Sequence, residues 1–210
     1  MNKKEIKEKI IDNLLNIKDK KDIFDSMTTL QNEISVSFDT KVIAITAVTD
    51  DDLAASFAFS FAYSYSMNGF SALVIDANLY NQRLSNLLEN KILVNGSDSI
   101  EFKDENKDRK VFSVDKNIDV LCLNNEIYPS IVFKEGTIQE HIRNKIDQYD
   151  HFIIIVPPLL HHKELLLLGD IVQSILLVAQ KNVTLKKHIF ETIQFLRINQ
   201  MPLAKTVILK

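Results

Sequence analysis

The sequence is poor in several features that mark common classes of protein. It has one cysteine, Cys122, only four glycines in 210 residues, and no apolar run long enough to cross a membrane. One cysteine forms no disulfide within the chain, so a reducing compartment fits. The charged N-terminus does not resemble a secretory signal. We therefore expect a cytoplasmic protein that does not itself insert into a membrane.

A surplus of basic residues is also missing. Lysine and arginine number 25 and aspartate and glutamate 28, which gives a net charge of −3 and an isoelectric point near 6.0. A general nucleic-acid surface would need a basic excess, so we expect no nucleic-acid partner. The length suits one α/β domain, here residues 1–210 with an N-terminal helical extension over about 1–35.

Apolar patterns predict strands that alternate with helices. Strands are predicted at 42–48, 71–76, 111–114, 118–123, 151–156, 175–179 and 204–209. Helices are predicted at 3–18, 22–35, 52–68, 84–88, 134–147, 162–169 and 184–198. The strands are near-continuous apolar runs, which is typical of parallel strands buried on both faces. The predicted fold class is α/β, with a mostly parallel sheet covered by helices on both faces. The polar segment 95–118 is expected to be a surface excursion around its one short strand.

Residues 41–67, KVIAITAVTDDDLAASFAFSFAYSYSM, place a strand, a tight loop and a helix in succession. Many nucleotide enzymes bind phosphates with this order, using glycines for close approach, a lysine for countercharge and a hydroxyl for magnesium. The corresponding positions here are Asp50, Asp51 and Asp52, then Leu53 for the lysine and Ala54 for the hydroxyl. Two unit charges ~4 Å apart repel by about 4 kcal/mol at an effective dielectric near 20. We therefore expect binding of ATP and magnesium to be weak or absent.

The three aspartates also have a local use. The N-terminus of a helix has unpaired N–H groups and a partial positive charge, and an aspartate there stabilises it by ~0.5–2 kcal/mol. We interpret Asp50–Asp52 as carboxylates of the chain itself that occupy the anion site at this helix N-terminus. The simpler alternative, an acidic cap without a functional history, stays open.

The order of motifs resembles the bacterial tyrosine kinases of capsule and exopolysaccharide operons, within the partitioning-type ATPases that have a deviant phosphate loop. The likeness runs from about Asp25 to Lys210. KVIAITAVTDDDLAASFAFSFAYSYSMNGFSALVIDANLYNQRLSNLLE resembles their first motif, helix and second motif, and YDHFIIIVPPLL resembles the strand of their third motif. Its most specific marks are Tyr149-Asp150 before that strand and Pro157-Pro158 after it. The resemblance implies a phosphate-loop NTPase-like fold of the partitioning-ATPase type.

The same resemblance implies that the functional positions have changed. The second motif of the family ends in Asp-x-Asp-x-Arg, and the matching residues are Asp76, Asn78 and Tyr80. The third motif places an aspartate two residues before the proline pair, where this chain has Ile155.

Positions outside the three motifs differ as well. The ring-forming Glu-x-x-Arg-x-x-Arg helix of the family matches Asp25, Thr28 and Gln31, and the asparagine near the base matches Lys210. The C-terminal tyrosine cluster is missing, because the five tyrosines at 63, 65, 80, 128 and 149 are scattered.

Phosphoryl transfer depends on positioning and charge stabilisation, so these changes together predict a pseudo-enzyme without catalytic residues. By the resemblance, it would serve as a scaffold or regulator whose partner is a membrane chain-length or polysaccharide-export protein, or a related active kinase. The partner would then bring it to the membrane. Two alternatives stay open: a residual ATP-binding tyrosine kinase with an atypical pocket, and a partitioning-type ATPase relative unconnected with polysaccharide.

Two possible metal sites have weaker support. His161 and His162, with Glu164 nearby, follow the proline pair, but adjacent helical residues point about 100° apart and chelate poorly. The acids at 50–52 together with Asp76 form an oxygen cluster of the kind that suits Mg²⁺ or Ca²⁺, but capping is the favoured use. We assign no metal site. Cys122 and the stripe Phe57, Phe61 and Tyr65 are expected in the core, and His141 and His188 on helix surfaces.

Overall fold

The computed structural model describes residues 20–37, 40–49, 51–95, 101–106, 109–123, 129–134 and 137–209. The predicted helix at 3–18 lies outside them, as do Asp50 and Lys210. None of the described helices is both long and apolar enough to cross a membrane.

Eight strands and six α-helices form the described fold. The strands are β1 Val42–Ala47, β2 Ala72–Asp76, β3 Glu101–Asn106, β4 Arg109–Asp115, β5 Ile118–Leu123, β6 His151–Ile155, β7 Ser174–Gln180 and β8 Leu203–Leu209. The α-helices are α1 Lys20–Ser37, α2 Asp51–Met67, α3 Arg83–Asn95, α4 Pro129–Lys134, α5 Thr137–Lys145 and α6 Lys186–Ile198, and a 3₁₀ helix spans Glu164–Leu168.

The strands form one sheet in the order β3-β4-β5-β2-β6-β1-β7-β8. All pairs from β5 to β8 are parallel, whereas β4 runs antiparallel to both of its neighbours. Helices α1, α2 and α3 contribute side chains to the core on one face, and α4, α5, the 3₁₀ helix and α6 to the core on the other. The predicted fold class, a mostly parallel sheet covered on both faces, is therefore confirmed.

Helix α2 lies at the centre of the first face. Its stripe Phe57, Phe61 and Tyr65 is buried as predicted, with the Phe57 and Phe61 rings stacked at 6.0 Å and Tyr65 edge-on to Phe61 at 5.2 Å. The helix ends in a Schellman motif, in which Gly69 has φ of 89° and the Phe70 N–H donates to the Tyr65 carbonyl at 3.1 Å. Glycine takes this left-handed conformation without a Cβ penalty, which is why Asn68-Gly69 predicted the helix end correctly.

Helix α1 is fastened to α2 by a buried amide. Gln31 is 4% exposed, and its Nε2 donates to the Phe61 carbonyl at 3.1 Å and to the Ser64 hydroxyl. In the family that the sequence resembles, this position carries an arginine that helps to form the ring. In this chain its side chain is buried and bonds within the domain. Glu33, farther along α1, pairs with Lys205 of β8.

The Tyr-Asp pair before β6 connects three strands at the edge where they begin. Asp150 Oδ2 accepts hydrogen bonds from the Ser71 N–H at 2.7 Å and the Ser71 hydroxyl at 2.8 Å. These bonds lower the pKa of Asp150. The Tyr149 hydroxyl donates to Asp119 of β5 at 2.5 Å. The pair therefore has a structural role far from the loops that follow β1, β2 and β6.

Three sequence expectations are wrong, and a fourth is right only in part. The segment 95–118 contains a hairpin, β3 and β4, that extends the sheet. Its polar outer strand did not show the apolar pattern that marked the others. The helix predicted at 134–147 corresponds to α5, Thr137–Lys145, and the separate helix α4 before it was not predicted, whereas the helix predicted at 162–169 is the short 3₁₀ helix. His141 is 4% exposed on the inward face of α5, since neighbouring helices cover it.

The α2 stripe provides a test of this core. Phe61 is fully buried, so Phe61→Ala removes its packing and leaves a cavity, and we expect it to lower the free energy of unfolding by about 3–5 kcal/mol. Phe190 is 62% exposed, so Phe190→Ala is the matched control and should change it by less than about 0.5 kcal/mol. Urea denaturation measures both, and equal effects of the two substitutions would contradict this packing.

Candidate functional site

The candidate site lies where three neighbouring parallel strands end. Strands β2, β6 and β1 are adjacent in the sheet, and their carboxyl ends lead into the loops at 77–82, 156–163 and 48–49. Open α/β sheets bind ligands at this edge because the loops diverge there. The predicted site positions on these three loops are thus brought together at one edge of the sheet.

An ion pair spans the start of α2 and the start of α3. Arg83 Nη1 donates to Asp52 Oδ2 at 2.6 Å, and Asn81 Nδ2 donates to Asp52 Oδ1 at 3.3 Å. The Asp52 carboxylate, which we expected to stabilise the N-terminus of its own helix, thus bonds to residues of the next loop and helix. Each partner is more than a third exposed, so this ion pair stabilises the fold by less than about 1 kcal/mol.

The next two positions of the first motif face the core. Ala54 is 1% exposed, and Leu53 packs on the core cluster around α2. Neither residue has a cationic or hydroxyl side chain, so the lysine and hydroxyl positions supply no polar group to a phosphate. Together with Asp52, these side chains do not fit a triphosphate in the usual pose.

Asp76, at the end of β2, is fully buried and only half satisfied. Its Oδ2 accepts hydrogen bonds from the Ser85 N–H at 3.0 Å and the Ser85 hydroxyl at 2.9 Å. Its Oδ1 is buried without a hydrogen-bond partner. Burial raises the pKa of this carboxyl to about 6, against the lowering by the bonds from Ser85. Asp76 therefore stabilises the first turn of α3 by accepting both hydrogen bonds from Ser85.

The remaining second-motif positions differ in exposure. Asn78 is 1% exposed and its Oδ1 accepts the Asn81 N–H at 3.3 Å, which shapes the β2–α3 loop. Tyr80, where the family has arginine, is 51% exposed, stacks on the His162 ring at 3.7 Å, and donates to Glu164 Oε1 at 2.5 Å. The bond to Glu164 raises the pKa of Tyr80 to about 12. Tyr80 therefore connects the loops after β2 and β6.

The third-motif strand carries an apolar residue at its end. Ile155 is 1% exposed, lies opposite Asp76 in the β2–β6 register, and packs in the core with α2. The two prolines that follow are buried, and the Pro157 carbonyl accepts the Thr46 hydroxyl at 3.0 Å. The Pro158 carbonyl accepts the N–H groups of His161 and His162. The proline pair therefore shapes the chain reversal after β6.

The two histidines of this reversal do not converge on one point. Their ring centres lie 6.4 Å apart at an interplanar angle of 69°, and the His162 ring is stacked on Tyr80. Among the described residues, no group of three or more His, Cys, Asp or Glu side chains is placed to hold a metal ion. Cys122 is 3% exposed, as predicted for a core residue, and burial raises its pKa.

Sequence reasoning missed two features of this edge. Arg83 was not singled out, although it is the basic residue nearest to the second motif, three positions after Tyr80. The bond from Tyr80 to Glu164 joins residues 84 positions apart. No local pattern predicts either contact, because both depend on how the loops meet.

No protein-family model and no curated protein sequence matches this chain. Solved structures do share its fold. The kinase domain of the Escherichia coli tyrosine kinase ETK is 19% identical with a TM-score of 0.70, and the match covers 88% of this chain and 74% of that one. The BceF tyrosine kinase domain is 18% identical with a TM-score of 0.68, covering 90% and 76%. A plasmid partition protein from Borrelia burgdorferi is 15% identical with a TM-score of 0.56, covering 80% and 78%. The chain therefore has the fold common to these kinase domains and partition proteins.

Asp76 predicts a specific dependence of stability on pH. Its folded pKa of about 6 is above the unfolded value of about 3.9, so its ionisation penalty is absent below about pH 4 and complete above about pH 6. Asp76→Asn removes this titration. We expect the stability of that variant, relative to wild type, to increase by about 2–3 kcal/mol between pH 4 and pH 7, measured by urea denaturation.

Asp150→Asn is the control, because the folded pKa of Asp150 is lowered. An aspartate of this kind contributes stability above its unfolded pKa and loses it as the pH falls. The relative stability of Asp150→Asn should therefore change little between pH 4 and pH 7 and increase as the pH falls below about 4, unlike that of Asp76→Asn. A constant difference between Asp76→Asn and wild type would contradict the burial of an ionisable carboxyl.

Proposed function

We propose that this chain is a non-catalytic relative of the bacterial tyrosine kinases that acts as a scaffold or regulator in capsular or exopolysaccharide biosynthesis. The observation that carries the proposal is the position of Asp52. A carboxylate lies at the start of α2, where a nucleotide enzyme binds phosphate, and its hydrogen-bond partners come from the protein itself. An anion already held there competes with any second anion.

Two further features support the loss of catalysis. The lysine and hydroxyl positions are Leu53 and Ala54, both turned toward the core. The metal-organising acid of the third motif is replaced by Ile155, which is buried beside Asp76. Phosphoryl transfer needs countercharge and a positioned metal ion, and the described residues of these positions supply neither.

One observation favours the alternative of a residual ATP-binding kinase or partitioning-type ATPase. Arg83 is a cation at the candidate site, 36% exposed along its side chain, and held by a single carboxylate oxygen. A rotation of Asp52 would release the guanidinium toward a phosphate group. Arginine binds phosphate well, so Arg83 would then take the place of the missing lysine.

The proposed partner is a protein, and its identity follows from the resemblance. In this proposal, a membrane chain-length or polysaccharide-export protein, or an active paralogous kinase, binds the chain and holds it at the cytoplasmic side of the membrane. A two-hybrid assay against the membrane and kinase products of the neighbouring genes tests this part. An interaction confined to products of unrelated neighbouring genes would overturn the polysaccharide assignment.

Calorimetry with Mg-ATP tests the loss of nucleotide binding. We expect no binding tighter than ~0.1 mM, which corresponds to about 5.5 kcal/mol. A kinase domain with an intact phosphate loop, measured in the same buffer, provides the positive control. Tighter binding by wild type would rule out the proposal as stated.

Two single variants identify the reason if binding is found. In the alternative, Arg83→Gln abolishes binding and Asp52→Asn strengthens it on the order of tenfold, because the arginine is released. Binding that is unchanged in both variants would place the nucleotide away from this ion pair. A direct kinase assay with a tyrosine-containing polymer should show no phosphotyrosine above the no-enzyme background.

A further inference from the structure

Exposed apolar side chains are concentrated at one end of the chain. Of the nine large hydrophobic residues that are exposed within the described residues, five lie between 183 and 208. They are Val183, Leu185, Phe190, Ile198 and Ile208, each between 58% and 76% exposed. A cluster of this kind on a soluble domain marks an interaction surface.

These residues share one side of the molecule. At 100° per residue, Phe190 and Ile198 lie about 80° apart around α6, opposite the buried Thr192 and Leu196. Ile208 pairs with Ala179 in the β7–β8 register, and Ala179 belongs to the cluster packed by α6. Ile208 therefore points to the face of the sheet that α6 covers.

The turn before α6 is fixed in shape. The Gln180 N–H donates to the Thr184 hydroxyl at 2.9 Å, and the Thr184 N–H donates back to the Gln180 carbonyl at 2.9 Å. Asn182 takes a left-handed φ of 64°. Val183 and Leu185 are thus exposed on a tight turn next to the first turn of the helix.

Basic side chains surround the apolar ones. Between residues 181 and 198 the chain has four lysines or arginines and one acid, although the whole chain has a net charge of −3. The basic residues are Lys181, Lys186, Lys187 and Arg197, all exposed. The acid, Glu191, pairs with Lys187 at 3.6 Å. We call the five apolar and four basic residues together the α6 surface.

We propose that the α6 surface docks on an anionic lipid membrane. Exposed aliphatic and aromatic side chains with lysines beside them fit the interface between headgroups and acyl chains, where the ammonium groups reach lipid phosphates. A nucleic-acid surface would present polar donors in place of Val183, Leu185 and Ile198. The proposal requires no nucleotide and does not rest on the proposed function.

Docking in this way would fix the orientation of the domain. Strand β7 ends at the same edge of the sheet as β1, β2 and β6, and the turn with Val183 and Leu185 follows it. Docking through this turn would bring the edge of the sheet that holds the candidate site toward the lipid surface. A membrane partner would meet the loops around Asp52 and Tyr80 first.

Vesicle co-sedimentation of the full chain tests the proposal. We expect binding to vesicles of phosphatidylcholine with phosphatidylglycerol and little to phosphatidylcholine alone. Raising the ionic strength from about 0.1 M to 1 M shortens the screening length from ~10 Å to ~3 Å and should weaken binding. Failure to bind the anionic vesicles, or equal binding to both compositions, would overturn the proposal.

Paired variants locate the surface. The double variant Lys186→Gln/Lys187→Gln should lower the partition coefficient on the order of tenfold, and so should Phe190→Ser/Ile198→Ser. Lys116→Gln and Met67→Gln are controls at exposed positions remote from α6, and both should bind as wild type does. Losses of equal size in the control variants would contradict the assignment.

The chain has no tryptophan, so one substitution creates a site-specific probe. Fluorescence of Phe190→Trp should shift to the blue on addition of anionic vesicles, since the indole leaves water. Phe70→Trp, at the opposite edge of the sheet and 47% exposed in the parent residue, should not shift. A shift with a polyglutamate peptide but none with vesicles would assign the surface to an acidic protein segment and overturn the lipid proposal.

Discussion

Burial of the four central parallel strands on both faces is the constraint on which the rest of the structure depends. Strands β2, β6, β1 and β7 consist almost wholly of buried residues, and two separate apolar cores cover them. Parallel strands covered in this way bring their following loops to one edge, whatever those loops contain. The loops therefore meet at one edge of the sheet, as in a ligand-binding protein, even if their side chains change.

Several positions that resemble family motifs have a structural use in this chain. Asp150 holds Ser71 at the start of β2, and Tyr149 holds Asp119 of β5. Gln31 fastens α1 to α2, and the Pro157 carbonyl accepts the Thr46 hydroxyl. Contacts of this kind show that the residues at these positions stabilise the fold itself. A residue at such a position is therefore weak evidence for catalysis.

The sequence predicted those parts of the structure whose signal is local. Buried strands show as apolar runs, and Asn68-Gly69 ends α2 because only a left-handed residue fits there. Strand β3 was missed because its sequence, EFKDEN, is polar and lies at the sheet edge. His141 was misplaced because other helices bury a position that local periodicity cannot judge. At the candidate site, the strand ends were predicted, but the pairing of Asp52 with Arg83 required the fold.

Two interpretations of the site, a ligand-binding protein and a non-catalytic scaffold, differ most in how they explain the buried carboxyl of Asp76. Its pKa of about 6 means that ionisation inside the fold costs about 3 kcal/mol at neutral pH. In a ligand-binding protein, a cation bound at the unpartnered Oδ1 would offset this cost. A scaffold needs another reason, and Ser85 supplies it. Removing the carboxyl would deprive the Ser85 N–H and hydroxyl of their acceptor, at about 1–3 kcal/mol for each buried group. The two costs are of similar size, so folding accounts for an oxygen acceptor at position 76, although an asparagine would supply that acceptor without the cost of ionisation.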